Sequence, residues 1–112
     1  MTTVTAALLN DGFMIECEGH SGYDEKGRDI VCAGVSALCM ALEAMLEELS
    51  DEGCAEQVQK RFADGYFSAE AHFVPKDLYS RERLGTVFRT VTAGLETIER
   101  LHPKHLQLYL NS

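Results

Sequence analysis

Apolar and polar residues alternate in short runs near both ends of the chain and again from residue 54 to 74, and recur every third or fourth residue in the two long stretches that separate these runs. Alternation reads as strand, and the three-and-four spacing reads as amphipathic helix. Thr2 to Asn10 predicts a strand with Val4, Ala6 and Leu8 on one face. Asp11-Gly12 is a hairpin-turn dipeptide. Phe13 to Gly19 then predicts the partner strand, with Phe13, Ile15 and Cys17 facing one way and Met14, Glu16, Glu18 and His20 the other. Ile30 to Leu49 predicts a helix whose apolar stripe is Val31, Val35, Leu38, Leu42, Met45 and Leu49, beside a row of Cys32, Ser36, Cys39 and Glu43. Ser50 to Gly53 ends it. Cys54 to Phe62 and Tyr66 to Val74 predict a second hairpin around Ala63-Asp64-Gly65, with Phe67, Ala69, Ala71 and Phe73 inward and Pro75 as the stop. A second helix is expected from about Ser80 to Leu101, and Pro103 breaks it. Its apolar side is Leu84, Val87, Phe88, Val91, Leu95, Ile98 and Leu101. His105 to Leu110 alternates again and predicts a short closing strand. The order β-β-α-β-β-α-β implies an α+β fold: a mainly antiparallel sheet with two long helices packed on it.

The 112 residues suit one domain, and a 46% hydrophobic share supplies a core. Eighteen acidic residues against ten basic ones leave a net charge of −8. That balance argues against nucleic acid, which needs a basic stripe, and suits a basic protein or peptide partner. No uninterrupted run of eighteen apolar residues occurs, so no membrane-spanning helix is expected, and Met-Thr-Thr-Val-Thr lacks the basic start of a signal peptide. A cytoplasmic protein is therefore expected. Its four cysteines, Cys17, Cys32, Cys39 and Cys54, contain no Cys-x-x-Cys. Cys32 and Cys39 would stand about 10.5 Å apart along one helix, beyond the ~7 Å Cα limit of a disulfide. Cys17 and His20 would face opposite sides of a strand. Neither a metal site nor a cofactor is expected.

Candidate chemistry concentrates between Gly19 and Ser36. His20 ends a strand, where a rigid frame can present it. Ser21 to Arg28 is a charged, glycine-containing loop expected to be solvated, with Gly22 and Gly27 allowing bends and Tyr23 able to close over a bound peptide. Asp29 is the residue type that caps a helix start. Cys32 then falls at the third helical position, near unpaired backbone N–H groups and the positive end of the helix dipole, a setting that favours thiolate. Ser36 lies one turn further on the same side, within reach of the sulfur or of a bound peptide. A histidine beside such a sulfur is the minimum equipment for nucleophilic catalysis. Cys17, Cys39 and Cys54 read as core residues, and His72, His102 and His105 as surface residues. Ala33, Gly34 and Ala37 are small enough to let the helix approach the sheet, or substrate approach the helix.

Gly19-His20, a loop of about eight residues, and Gly27-x-Asp29-Ile30-Val31-Cys32-Ala33-x-Val35-Ser36 together resemble the signature of the bacterial ribosomal-processing cysteine protease family, Prp. The similarity extends over the chain, as a single cysteine-protease domain spanning residues 1–112. Ser21 and Gly34 stand where the family usually has alanine. The resemblance implies a peptidase that removes the N-terminal extension of large-subunit ribosomal protein twenty-seven, cutting after phenylalanine. Cys32 would be the nucleophile and His20 the base, with Gly19, Asp29 and Ser36 in supporting positions. The loop containing Ser21, Gly22, Tyr23 and Gly27 would move to admit substrate. Tyr23, Ala33 and Gly34 are expected walls of the phenylalanine pocket. The resemblance also implies a homodimer.

Two other readings compete with the peptidase. One is a non-catalytic acidic module that docks on a basic ribosomal or assembly protein. The other is a redox-sensing thiol, which needs a resolving cysteine near Cys32 and which helix geometry denies to Cys39.

Overall fold

A computed structural model describes residues 1–25, 27–73 and 77–111. The elements follow the expected order: β1 (Thr2–Leu9), β2 (Gly12–Glu18), α1 (Ile30–Asp51), β3 (Ala55–Ala63), β4 (Tyr66–Phe73), α2 (Leu78–Leu101) and β5 (Leu106–Asn111). The five strands form one sheet in the order β3-β4-β2-β1-β5. Neighbouring strands are antiparallel except β5, which runs parallel to β1. The fold is thus α+β, with a mixed but mainly antiparallel sheet.

Alternation does what the pattern predicts in the central strands. Val4 and Ala6 of β1, Phe13, Ile15 and Cys17 of β2, and Phe67, Ala69, Ala71 and Phe73 of β4 are all buried. The helices cover that face, and Phe13 meets Phe88 of α2 with ring centroids 5.2 Å apart. Fully burying one such side chain is worth about 1.5–3 kcal/mol. Leu8 faces the same way but lies at a strand end and stays exposed, as does Leu101 at the end of α2.

The α1 stripe sits slightly rotated from expectation. Cys39 and Leu46 join Val31, Val35, Leu42 and Leu49 in the core, while Leu38 and Met45 are only half-buried. The reason is the second helix. Leu38 turns toward α2, where a Cβ on Gly94 would come within 2.8 Å of its Cδ2. Gly34 serves the same contact: a Cβ there would lie 3.1 Å from Ile98 Cδ1. Its small size therefore admits α2, not the sheet or a substrate. Both helices overrun their expected limits by two residues, α1 to Asp51 and α2 from Leu78, where Asp77 caps it through the Ser80 N–H. The expected end of β4, at Val74 and Pro75, lies outside the described residues.

By length and composition α1 is apolar enough to cross a membrane, a test that a core helix of a folded domain also passes. Alanines, methionines and cysteines supply that hydropathy without forming one unbroken stretch. In this fold the helix spends its most apolar face on the sheet and α2.

Register gathers several chain ends at one end of the sheet. Glu18, the last residue of β2, pairs with Thr3 near the start of β1 and with Tyr66 at the start of β4. The β3–β4 turn, the start of α1 and the turn into β5 lie at this same end, where Thr2 N–H donates to the His105 carbonyl at 3.0 Å. The opposite end carries the Asp11 turn. There His72 is half-buried, contrary to its reading as a surface residue, with Nδ1 3.2 Å from Asp11 Oδ1 and Nε2 3.2 Å from Glu70 Oε2. The Glu70 hydrogen bond pushes the His72 imidazole up; burial opposes this, and Asp11 adds to the rise, so the net shift is above 6.5. A histidine raised by folding stabilises fully below its unfolded value and loses that contribution as pH climbs through the folded one. Thermal unfolding of wild type and His72→Gln as pH rises from 6.5 should therefore show a gap that closes. A gap independent of pH would contradict the ion-pair assignment.

Candidate active site

Two glycines bring His20 to its place. Gly19 has φ +92°, and a Cβ there would lie 2.6 Å from the Met1 carbonyl oxygen, so no other residue fits. Its N–H donates to the Gly65 carbonyl at 2.8 Å, extending the sheet ladder one step beyond β2. The left-handed turn at Gly19 ends the strand and puts His20 on an exposed rim. Beneath the ring lies Gly65, at φ +69° in the β3–β4 turn, where a Cβ would come within 2.7 Å of His20 Nε2.

Asp29 brings Cys32 to its place. One carboxylate oxygen, Oδ1, accepts the Cys32 N–H at 2.9 Å and caps α1. The other, Oδ2, accepts the Ser21 hydroxyl, the Tyr23 N–H at 3.1 Å and the Asp24 N–H at 3.5 Å. Burial alone would push the Asp29 carboxyl up. The Ser21 hydroxyl, the Cys32 and Asp24 N–H groups and the Cys32 thiol outweigh it and hold the carboxyl well below the usual carboxylate range. Asp29 is therefore a buried carboxylate shared by a helix start and the loop before it.

Ser21 departs from its expected place on a solvated loop: it is 2% exposed. Its N–H points at the Cys32 sulfur at 3.4 Å, and the thiol in turn reaches the Ser21 hydroxyl at 3.4 Å. Since that hydroxyl donates to Asp29, a hydrogen-bonded chain runs from thiol to carboxylate. No local signal in the sequence marks this serine for burial; its partner Asp29 lies eight residues away and only the folded loop joins them.

Cys32, half-buried, opens onto a cleft of about 710 Å³. Gly19, His20, Gly22, Gly27, Asp29, Ala33 and Ser36 line it around the sulfur. Val35, Cys39, Met40, Cys17, Phe62 and Phe67 make its apolar part. Among the described residues, His20 makes no side-chain hydrogen bond to Cys32, and Ser36 makes none to the sulfur. Both nevertheless face the same cleft. Ala33 is a wall of this cleft. Gly34 and Tyr23 are not. Tyr23 lies on the far side of the loop, edge-on to His102 and His105 at 5.1 and 5.3 Å between centroids. Those two histidines are half-buried behind the loop instead of lying free on the surface.

The remaining cysteines are buried and unoxidised. Cys39 meets Cys17, sulfur to sulfur at 3.7 Å, across the α1–β2 interface. This contact and burial push the Cys17 thiol up, while the same contact draws the Cys39 thiol down. Among the described residues no cluster of histidine, cysteine and carboxylate could hold a metal ion.

Among solved structures, the chain resembles the essential ribosomal processing protease Prp from Staphylococcus aureus with a covalently linked product peptide: TM-score 0.74 and 23% identity, covering 99% of this chain and 100% of that one. The same protease with a substrate peptide gives TM-score 0.67 and 23% identity over the same shares. SMU.848 from Streptococcus mutans gives TM-score 0.70 and 26% identity, over 99% of this chain and 94% of that one. No curated protein matches the chain. The family model for the cysteine protease Prp matches residues 1–107, and the chain belongs to that family.

Proposed function

We propose that Cys32 and His20 form the working pair of a cysteine endopeptidase that removes the N-terminal extension of large-subunit ribosomal protein twenty-seven. The observation that carries this reading is the placement of Cys32. Of the four cysteines it alone is not buried, and it sits at a helix start held by a buried carboxylate, in a cleft that His20 also lines.

His20 takes the thiol proton as substrate enters, and the sulfur attacks the scissile carbonyl. The ring moves inward from its rim over Gly65 to do so; such contacts commonly tighten only once substrate is bound. The Cys32 N–H is committed to Asp29. Charge on the tetrahedral oxygen therefore falls to the positive end of α1 and to the Ser36 hydroxyl, one turn along and facing the cleft. Protonated His20 then returns its proton to the leaving amine, and water releases the acyl group from sulfur. The apolar part of the cleft, with Met40 and Phe62 at its exposed edge, suits a phenylalanine before the cut. The net charge of −8 favours a basic ribosomal segment as substrate. The family resemblance adds a homodimer, and a ribosomal substrate would be met in the cytoplasm.

Incubation of the chain with the extended ribosomal protein, read by mass spectrometry, should show loss of the leader. Cys32→Ala should abolish this with the thermal midpoint preserved, and His20→Ala should slow it by at least ~100-fold. A Cys32→Ala variant that still trims would remove Cys32 as the nucleophile, and an unmodified chain that trims nothing would leave the docking-module reading. Asp29→Ala should lose activity and about 1 kcal/mol of stability through the missing cap. Asp29 also predicts a pH effect. A carboxyl lowered by folding stabilises above its unfolded value of 3.8 and loses that contribution as pH falls below it. Acid unfolding of Asp29→Asn should lack this component; a profile superimposable on wild type would show the carboxylate to be dispensable.

A further inference from the structure

The loop that carries Ser21 is fastened on two sides. Asp29 holds it from the α1 side. On the other side stands the turn between α2 and β5. His105 Nδ1 lies 3.0 Å from the Ser21 carbonyl oxygen, across 84 residues of sequence. The His105 backbone is itself pinned at both ends: its N–H donates to the His102 carbonyl at 3.0 Å, and its carbonyl accepts the Thr2 N–H at 3.0 Å. The imidazole therefore projects from a fixed base on the sheet edge. Tyr23 packs edge-on against both His105 and His102, closing the gap between loop and turn.

We propose that His105 is a positioning residue for the reaction, acting through Ser21. A carbonyl only accepts, so Nδ1 must carry the proton and donate it. The Ser21 carbonyl is then held by His105, while its N–H and hydroxyl are held against Cys32 and Asp29. With every polar group of Ser21 engaged, its backbone has one conformation. That conformation aims an N–H at the sulfur and fixes the peptide that follows His20. The β5 end of the chain thus sets the geometry of two groups with which it shares no local sequence. This inference rests on Cys32 being the nucleophile, but its structural half is measurable without any cleavage.

Two measurements on the unmodified chain and two variants test it. Long-range ¹H–¹⁵N spectra should show His105 with the proton on Nδ1; a neutral ring protonated only at Nε2 has nothing to donate and overturns the proposal. In His105→Leu, which keeps bulk against Tyr23, the Ser21 amide should exchange on the order of tenfold faster, the effect of one lost hydrogen bond. Peptide cleavage should fall by a similar factor, chiefly in kcat. His105→Asn, whose side-chain N–H₂ can take the place of Nδ1, should restore both toward wild type. Equal exchange in all three proteins, or an asparagine variant as impaired as the leucine one, would reduce His105 to packing. Should the unmodified chain cleave nothing, the peptidase reading fails, while tautomer and exchange still decide whether His105 holds Ser21.

Discussion

One buried carboxylate organises the working end of this protein. Asp29 has two oxygens and at least four donors to satisfy, drawn from α1 and from the loop behind it. An ionised acceptor out of water must be paid in hydrogen bonds, and here each one fastens a part of the site. The Cys32 N–H starts the helix in register, the Ser21 hydroxyl turns toward the sulfur, and the Tyr23 and Asp24 N–H groups fold the loop. Removing that charge would release helix start and loop together.

The sheet explains why these parts meet. Antiparallel pairing of β2 with both β1 and β4 returns the β3–β4 turn to the exit of β2, where Gly65 supports His20. Parallel pairing of β5 with β1 returns the α2–β5 turn to the same end, where His105 reaches Ser21. The resting site is incomplete in one respect: His20 stands on the rim and Cys32 is engaged with Ser21. In the proposed mechanism His20 therefore has to move inward from its exposed rim to take the thiol proton, while Asp29 holds the start of α1 that carries the sulfur.

Much of this was legible in the sequence, for physical reasons. Alternation in β1, β2 and β4 survives because one face of the sheet is covered and the other is not, and an aspartate before an apolar run has few roles other than a cap. The close spacing of Gly19, His20, Asp29 and Cys32 points to one site since all four lie at the ends of adjoining elements. What escaped was set by contacts between distant segments. The rotation of the α1 stripe toward Cys39 and Leu46 depends on α2 at Gly94 and Ile98. The burial of Ser21 depends on a loop that closes on itself. His102 and His105 look like surface residues until β5 folds beside β1. Gly34 is small on account of Ile98, a fact no local pattern contains.

The most direct test of the account is intact-mass and peptide-mapping analysis of the chain after exposure to a phenylalanine-terminated peptidyl chloromethyl ketone. The account predicts a single covalent adduct, on Cys32, whose formation slows sharply in the His20→Ala protein. An adduct on Cys17, Cys39 or Cys54, or modification of Cys32 at the same rate with and without His20, would contradict it.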